Sequence, residues 1–153
     1  MRATSICPMR VDPSCKFCRI VADDDPRVLV YQSEHVIGFL DIRPVFHGHC
    51  LLVPREHYET LDQMPLTLAE PLVAATQIAI RALRDAVGAQ GTFVANNNVV
   101  SQSEPHLHVH VVPRRRKDGL RGFFWPRRPY ADEGELQQMR DRVRAAMLTV
   151  AND

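Results

Sequence analysis

Short runs of β-branched and apolar residues, each ended by turn residues, recur along the chain and predict five β-strands. The runs cover residues 28–31, 36–40, 50–53, 92–95 and 107–112. β-Branched and aromatic side chains suit the pleated, half-buried surface of a sheet. We therefore expect a sheet of short strands, the last two of which follow a long interruption in the pattern.

That interruption has a helical period. Between residues 67 and 87, apolar side chains recur at spacings of three and four residues, which places them on one face of a helix. Gly88 is expected to end this helix. The pattern also predicts a short helix over residues 56–64 and a polar C-terminal helix over 132–148, with Asp132 as its N-cap. The apolar positions of the long helix are Leu68, Leu72, Ala75, Ala79, Ala82, Leu83 and Ala86.

The order of these elements predicts the fold class. Strands, one long helix, two more strands and a final helix are typical of an α+β fold with a mainly antiparallel sheet. The length of 153 residues suits one domain. We expect residues 1–14 to be a flexible tail and residues 15–153 to form a single domain, in which 114–153 is a basic and aromatic loop followed by the C-terminal helix.

Composition excludes several classes of protein. Hydrophobic residues make up 45% and charged residues 24%, which is typical of globular proteins, and a net charge of +1 gives no strong field for nucleic acid. No apolar run approaches the roughly 20 residues of a transmembrane helix, and the N-terminus lacks the apolar region of a secretory signal. Four cysteines in such a chain indicate reduced thiols or metal ligands. We expect a cytoplasmic protein without membrane or nucleic-acid partners.

Three histidines at alternate positions, His106, His108 and His110, lie in the last predicted strand. Alternate residues of a strand share one face, so the imidazoles should be roughly 6 to 7 Å apart while the intervening leucine and valines pack under the long helix. Two chemistries suit this arrangement. Imidazoles bind zinc or copper, and a neutral imidazole can attack phosphorus while a second one donates hydrogen bonds to the phosphoryl oxygens.

The residues before the triad favour chemistry on phosphorus. They are neutral hydrogen-bond donors, which hold phosphate oxygens but are poor ligands for transition metals. They could also simply form a turn. These residues are Asn96, Asn97, Asn98, Gln102 and Ser103.

The stretch QSEPHLHVHVVPR, residues 102–114, resembles the signature of the histidine triad (HIT) superfamily of nucleotide hydrolases and transferases. FLDIRPVFHGHCLLVPREH, residues 39–57, is similar to the family's upstream segment, and CKFCRIV, residues 15–21, to the opening of its bacterial members. The resemblance implies one α+β HIT-like domain with a mainly antiparallel five-stranded sheet, one long helix and a C-terminal helix. It also implies a homodimer whose sheet continues across both subunits.

The resemblance implies roles for matching residues. His108 matches the nucleophile that attacks the α-phosphate and forms a nucleotidyl-histidine, from which water releases a nucleoside monophosphate. His110 matches the histidine that hydrogen-bonds the phosphate, Ser103 the donor near the leaving group, and Gln102 flanks the same pocket.

Further matches concern the nucleotide, expected to be a purine nucleotide with adenine as its base. The phosphate-side asparagine is best matched by the first of the three consecutive asparagines, with the other two as alternatives. A carboxylate and its neighbour match the ribose site, and two apolar residues near the N-terminus match the base pocket or pack in the core. The matching residues are Asn96, Asp41, Ile42, Phe17 and Ile20.

Cys15 and Cys18 form a CxxC pair, which by itself is half a zinc site, a redox pair or two buried thiols. A tetrahedral site needs two more ligands, for which His106, His57 and His49 are candidates. In relatives with this pair, the first triad histidine and a histidine about fifty positions upstream complete a Cys2His2 zinc site, which favours His57. The implied zinc is structural, and no organic cofactor is expected.

Two features lie outside these matches. Glu104 departs from the apolar residue that is common in the family, so it could shape the leaving-group preference or face solvent. The segment 114–128 is basic and carries Trp125. It could be a solvated loop, attract polyphosphate or nucleic acid, or place Trp125 near the pocket of a partner subunit.

The function implied by the resemblance is hydrolysis of adenosine phosphoramidates or dinucleoside polyphosphates through a covalent nucleotidyl-histidine. One alternative keeps the intermediate but passes it to phosphate or another acceptor, as in a dinucleoside polyphosphate phosphorylase or nucleotidyl transferase. A second is a zinc-stabilised nucleotide-binding regulatory module with little turnover. A third is a metalloprotein that binds its metal through all three triad histidines.

Overall fold

A computed structural model describes residues 10–23, 29–120 and 128–151. They fall into two compact units, one ending at Asp118 and the other beginning at Gly119. The second unit contains the helix α3, Glu133–Val150. The first unit contains α1 Lys16–Asp23, β1 Leu29–Gln32, β2 Val36–Leu40, β3 Cys50–Pro54, α2 Ala69–Val87, β4 Gly91–Ala95 and β5 Val109–Arg114.

The five strands form one sheet in the order β1-β2-β3-β5-β4. Each neighbouring pair is antiparallel. This sheet and its helices confirm the predicted α+β fold. The predicted strands are present, β2 with the predicted bounds and the others with shifted ends. The largest shift is in β5, which begins at Val109 rather than at residue 107. The backbone N–H of Leu107 donates to the carbonyl of Tyr58 at 2.6 Å, outside the sheet, so pairing starts later.

The predicted short helix over residues 56–64 is wrong. Only one 3-10 turn forms there, at Leu61–Gln63. The preceding backbone groups bond elsewhere, since the N–H of His57 donates to the carbonyl of Arg10 at 2.7 Å and the carbonyl of Tyr58 accepts from Leu107. In a helix over residues 56–64, the carbonyl of Tyr58 would accept from the N–H of Asp62, and here it accepts from Leu107 instead.

The long helix α2 covers one face of the sheet, as predicted. Its buried residues Leu72, Ala75 and Leu83 pack in one cluster with sheet residues that include Leu52 and with Leu107. A further 3-10 turn, Leu66–Leu68, precedes α2, and Gly88 ends it in the left-handed conformation at φ 63°. Although the run is interrupted by charges, the stretch Leu66–Val87 is long and apolar enough to cross a membrane by length and composition. Its buried residues contact the sheet, and 22% of the apolar stretch is buried.

The short helix α1 covers the opposite face and was not predicted. Val21 and the half-buried Phe17 and Ile20 pack against Ile37 and Phe39. The apolar spacing of this helix was visible in the sequence, but it spans only eight residues. Its position matters for the site, because α1 lies on the sheet face to which His110 belongs.

The C-terminal helix α3 confirms the predicted helix and its cap. The side chain of Asp132 accepts a hydrogen bond from the backbone N–H of Glu135 at 2.9 Å. Trp125 and its aromatic neighbours lie outside the described residues. The domain boundaries drawn from the sequence stay predictions, although residues 10–14 make defined contacts, among them an N–H of Ser14 donated to Asp12 at 2.8 Å.

Candidate active site and metal centre

The ring of His108 is held in one orientation and one tautomer. His108 is buried, and its Nδ1 lies 2.6 Å from the carbonyl oxygen of His106. A carbonyl oxygen only accepts hydrogen bonds, so Nδ1 carries a proton, and in the neutral ring Nε2 therefore keeps its lone pair. A neutral imidazole with a fixed, unprotonated Nε2 is suited to act as a nucleophile.

His110 is oriented by His49, a contact that sequence reasoning missed. Their Nδ1 and Nε2 atoms are 3.0 Å apart. The backbone N–H of Val45 donates to Nδ1 of His49 at 3.3 Å, so His49 donates from Nε2 to His110. His110 thereby carries its own N–H on Nε2, and this donor has no partner among the described residues. Burial lowers the pKa of His110 to about 4, which keeps this donor neutral near pH 7.

The histidine rings are closer together than the predicted spacing. The ring centroids of His108 and His110 are 4.9 Å apart, whereas adjacent same-face strand positions are roughly 6 to 7 Å apart. His108 lies before the first residue of β5, so its side chain does not follow strand geometry. The predicted alternation of faces nevertheless holds, because Leu107 and Val111 pack with α2.

The three asparagines have different partners. Nδ2 of Asn96 donates to the carbonyl of His108 at 2.9 Å, and its buried Oδ1 has no partner among the described residues. Asn97 donates to the carbonyl of Ser101, and Asn98 accepts from the backbone N–H of Leu61. Asn96 is therefore the asparagine attached to the backbone of the candidate nucleophile.

Gln102 bonds to two backbone groups, one in its own loop and one in a distant segment. Its Nε2 donates to the carbonyl of Glu59 at 2.6 Å, and its Oε1 accepts from the N–H of Val99 at 2.8 Å. Gln102 and Asn96 do not line the cavity beside the histidines. They hold the surrounding backbone.

A cavity of about 480 Å³ brings seven of the predicted site residues together. Within it, Oδ1 of Asp41 accepts the N–H of Arg43 at 2.8 Å, and the ring of Phe17 lies 5.2 Å from that of His108. Phe17 thus belongs both to the core and to the cavity wall. A larger cavity of about 620 Å³ contains none of the predicted residues. The seven are Phe17, Ile20, Asp41, Ile42, Ser103, His108 and His110.

Glu104 lines the same cavity and does not face solvent. It is 8% exposed, and its Oε1 accepts the backbone N–H of Lys16 at 2.8 Å. Lys16 is the first residue of α1, so the carboxylate stabilises the start of that helix. The departure from an apolar residue was visible in the sequence, but its contact with α1 required the fold.

Two cysteines and two histidines converge beside the active site. Sγ of Cys15 lies 3.4 Å from Nδ1 of His106, and Sγ of Cys18 lies 3.3 Å from Nδ1 of His57 and 3.6 Å from Nδ1 of His106. All four ligand atoms lie within 4.8 Å of one another. Zinc bonds of about 2.3 Å to sulfur and 2.0–2.1 Å to nitrogen place the ligand atoms of a tetrahedral site roughly 3.5 Å apart, so these residues fit a metal ion.

The protonation of these ligands also suits a metal. Nε2 of His106 lies 2.9 Å from the carbonyl of Pro54, so it carries the proton and Nδ1 offers its lone pair to the cysteines. Burial raises the pKa of the Cys15 thiol to about 12. Binding of a metal must therefore displace the thiol proton.

The other candidate metal ligands are arranged differently. His49 joins His110 and Asp41 instead of the cysteines, which agrees with the preference for His57. Among residues 10–23, 29–120 and 128–151, no group of candidate ligands contains all three triad histidines. The three-histidine metalloprotein therefore has no support in this part of the chain.

The basic segment begins inside the fold. Arg114 donates to both carboxylate oxygens of Asp118, at 2.6 and 2.9 Å, and Arg115 donates to the carbonyl of Val87. Both arginine side chains are thus hydrogen-bonded to other residues of the fold. Residues 121–127 lie outside the described part of the chain.

Known proteins resemble this chain over most of its length. Protein hit of Bacillus subtilis is 35% identical over 135 residues, which cover 87% of this chain and 92% of that protein. An adenosine 5'-monophosphoramidase of Schizosaccharomyces pombe is 30% identical, with coverage of 85% and 96%. An adenylylsulfatase of Arabidopsis thaliana is 29% identical, with coverage of 69% and 55%.

Solved structures share the fold. A crystal structure from Streptococcus mutans has a TM-score of 0.78 at 36% identity, covering 89% of this chain and 87% of that one. A zinc-bound histidine triad family protein from Mycobacterium smegmatis has a TM-score of 0.66 at 35% identity, covering 84% and 97%. The HIT domain family matches residues 22–117. This chain therefore belongs to the histidine triad (HIT) family.

Proposed function

We propose that this protein hydrolyses nucleoside phosphoramidates, with adenosine as the preferred nucleoside, through a covalent nucleotidyl intermediate on His108. The observation that carries the proposal is the 2.6 Å contact of Nδ1 of His108 with the carbonyl of His106, which leaves Nε2 as the unprotonated nitrogen of the neutral ring. Ser103 and His110 line the same cavity as His108. The cavity thus offers a nucleophile and two neutral donors.

In the first step, Nε2 of His108 attacks the α-phosphorus and the bond from phosphorus to nitrogen breaks. The departing nitrogen takes a proton, delivered from solvent through the hydroxyl of Ser103, and leaves as an amine. His110 donates from Nε2 to a phosphoryl oxygen, where negative charge accumulates in the transition state. The His49–His110 hydrogen bond keeps that donor aimed in advance.

In the second step, water attacks the phosphorus and the bond to Nε2 of His108 breaks. The water gives up one proton to solvent, and the nucleoside monophosphate leaves. His108 returns to its starting tautomer because its Nδ1–H has remained bound to His106 throughout. Asn96 steadies the same segment by donating to the carbonyl of His108.

The nucleoside half of the substrate is assigned to the apolar and acidic walls of the cavity. Phe17 and Ile20 suit an aromatic base, and Asp41 suits the ribose hydroxyls with Ile42 beside it. The relatives support this class of substrate, since one is named an adenosine 5'-monophosphoramidase and another an adenylylsulfatase.

We further propose that Cys15, Cys18, His57 and His106 bind one zinc ion. The S–N distances of 3.3–3.6 Å and the zinc-bound relative support this assignment. When bound, zinc would cross-link the α1 segment to the segment that precedes β5. His108 lies outside the ligand set and keeps its Nε2 for phosphorus.

The test follows turnover of an adenosine phosphoramidate by intact-protein mass spectrometry and AMP release. Wild type should release AMP and show a transient mass increase equal to one adenylyl group, and His108→Ala should do neither. His35→Ala is the matched control, since His35 is 45% exposed. Repeating the assay with inorganic phosphate separates hydrolysis from phosphorolysis by the product. Nucleotide binding without His108-dependent release would overturn the proposal in favour of a binding module.

Compartment and assembly are proposed on separate grounds. We propose a reducing, cytoplasmic location, because Cys15 and Cys18 bind metal only as thiolates and are free in the structure.

We also propose a homodimer. The strand β4 forms one edge of the sheet and exposes Val94, and an open edge can pair with another strand. Analytical ultracentrifugation should give twice the mass of the chain.

A further inference from the structure

Glu104 places a buried carboxylate in the wall of the active-site cavity. One of its two carboxylate oxygens is held by the protein, because Oε1 accepts the N–H of Lys16. The other, Oε2, makes no hydrogen bond within the described residues. Its backbone is fixed as well, since the carbonyl of Glu104 accepts the N–H of His106 at 2.8 Å. The carboxylate is therefore a fixed charge rather than a mobile surface group.

Glu104 lines the cavity together with Ser103 and with the walls assigned to the nucleoside. The apolar wall consists of Phe17, Ile20, Phe39 and Leu51, and Asp41 lies with Ile42. Glu104 instead follows Ser103 directly along the chain. On the proposed function, Ser103 serves the departing atom, so the wall beside it receives the leaving group.

Of the charged side chains that line this side of the cavity, Glu104 has the strongest electrostatic effect on a bound group. Lys16 and Arg43 also line the cavity, but both are exposed and solvated. Water screens exposed charges strongly, whereas a buried carboxylate acts through a lower effective dielectric. Asp41 is the other anion of the cavity.

We propose that Glu104 selects substrates by the charge of the leaving group, favouring amines over sulfate and polyphosphate. This inference rests on the proposed function and deepens it. The nitrogen takes its proton as the bond from phosphorus to nitrogen breaks, so it carries positive charge in the transition state, which the carboxylate stabilises, and it leaves as a neutral amine. A sulfate or polyphosphate departs with additional negative charge, which the same carboxylate repels.

The test compares kcat/KM for three substrates in wild type and Glu104→Gln. The substrates are an AMP phosphoramidate of a lysine-like amine, adenosine 5'-phosphosulfate and a diadenosine polyphosphate. Glutamine keeps an oxygen that can accept from Lys16 but removes the charge. The ratio of kcat/KM for the amine to that for each anionic substrate should fall at least tenfold, mainly because the anionic substrates react faster.

Controls separate a charge effect from a structural one. Glu34→Gln removes an exposed carboxylate, 86% exposed, and should leave the ratio unchanged. Glu104→Val removes the charge together with the contact to Lys16 and should shift the ratio in the same direction, so the test survives if one variant fails to fold. An equal change in kcat/KM on all three substrates would overturn the inference, since a merely structural role predicts that.

The same data separate this inference from the proposed function. His108-dependent AMP release with an unchanged ratio in both Glu104 variants overturns the role of Glu104 alone. Absence of AMP release from all three substrates by wild type overturns the proposed function and this inference with it.

Discussion

Nε2 of His49 lies 3.0 Å from Nδ1 of His110 and donates a hydrogen bond to it. The direction of the bond follows from Val45, whose N–H occupies the other nitrogen of His49. The carboxylate of Asp41 is 3.5 Å from that same Nδ1. Because this nitrogen accepts the N–H of Val45, it carries no proton that it could donate to Asp41. Burial, more than the neighbouring charges, lowers the pKa of both His49 and His110.

The first prediction concerns the titration of His110. His49→Ala opens space beside His110 and removes a neighbouring imidazole, and both changes favour protonation. The pKa of His110 should therefore rise from about 4 toward its ordinary value of 6.5. NMR titration of the imidazole resonances measures this directly. His35→Ala, an exposed histidine, should leave the midpoint where it is. An unchanged midpoint in His49→Ala would show that the two rings are not coupled.

The second prediction concerns the metal. Protein purified from a reducing cytoplasm should contain about one zinc per chain, and Cys15→Ser or Cys18→Ser should lose it. Cys50→Ser is the matched control, because Cys50 is buried but donates to the carbonyl of Gly48 and lies outside the cluster. Elemental analysis by mass spectrometry gives the metal content. Zinc retained in the Cys15/Cys18 double variant would contradict the assignment and favour a histidine-only site.

Zinc affinity should also depend on pH, with a defined sign. Because burial raises the pKa of Cys15 to about 12, the apo protein keeps this thiol protonated near neutrality. Cysteine binds zinc as a thiolate, so the Cys15 thiol must release its proton on binding. Apparent affinity should therefore rise with pH between about 6 and 8, and a chelator should strip the metal more easily at the lower pH. Competition titrations at fixed chelator concentration test this. An affinity independent of pH would mean that the thiols are already ionised.

The sequence predicted those parts of the fold that depend on local periodicity. The alternation in 107–112 and the three- and four-residue spacing of α2 are properties of short stretches, and both placed side chains on the correct face. The 56–64 helix failed because its backbone groups bond to Arg10 and Leu107. Those contacts are distant in sequence, so no local pattern reveals them.

The residues of the site also fall into two groups, those that a local sequence pattern reveals and those that it does not. The triad histidines and the CxxC pair were found because their spacing is itself the signal. The link from His49 to His110 depends on the pairing of β3 with β5, where Leu51 lies opposite His110. The contact of Glu104 with Lys16 depends on where α1 packs. Neither register nor packing is written in one segment, so these partners required the three-dimensional structure.

The third prediction concerns acid stability. The pKa of His110 is about 4 in the folded protein and close to 6.5 in the unfolded chain. Between these values only the unfolded chain binds the proton. The free energy of unfolding should therefore fall as the pH drops from about 6.5 to about 4, by at most about 1.4 kcal/mol per pH unit for one histidine.

Two variants isolate that contribution in urea unfolding at a series of pH values. His110→Gln removes the titrating group, so its free energy of unfolding should fall less steeply through this window than that of wild type. His35→Gln replaces an exposed histidine and should parallel wild type. If His110→Gln also paralleled wild type, His110 would have the same pKa in the folded and unfolded chain.

The last prediction concerns strain in the loop before the triad. Val99 adopts φ 67° and Ser101 φ 61°, a left-handed region that costs an L-residue roughly 1–2 kcal/mol. Glycine escapes this cost but loses about 0.5–1 kcal/mol through its greater freedom in the unfolded chain. Val99→Gly should therefore raise the free energy of unfolding by about 0.5–1 kcal/mol. Its backbone N–H still donates to Gln102, so the loop should keep its shape.

The matched control is the next residue. Val100 is 79% exposed and has no positive φ, so Val100→Gly gains nothing in the folded state and should lower the free energy of unfolding by about 0.5–1 kcal/mol. Opposite signs for two neighbouring, exposed valines are the signature of backbone strain, because side-chain burial predicts the same sign for both. Chemical denaturation of the two variants decides it, and destabilisation of equal size in both would show that Val99 stores no strain.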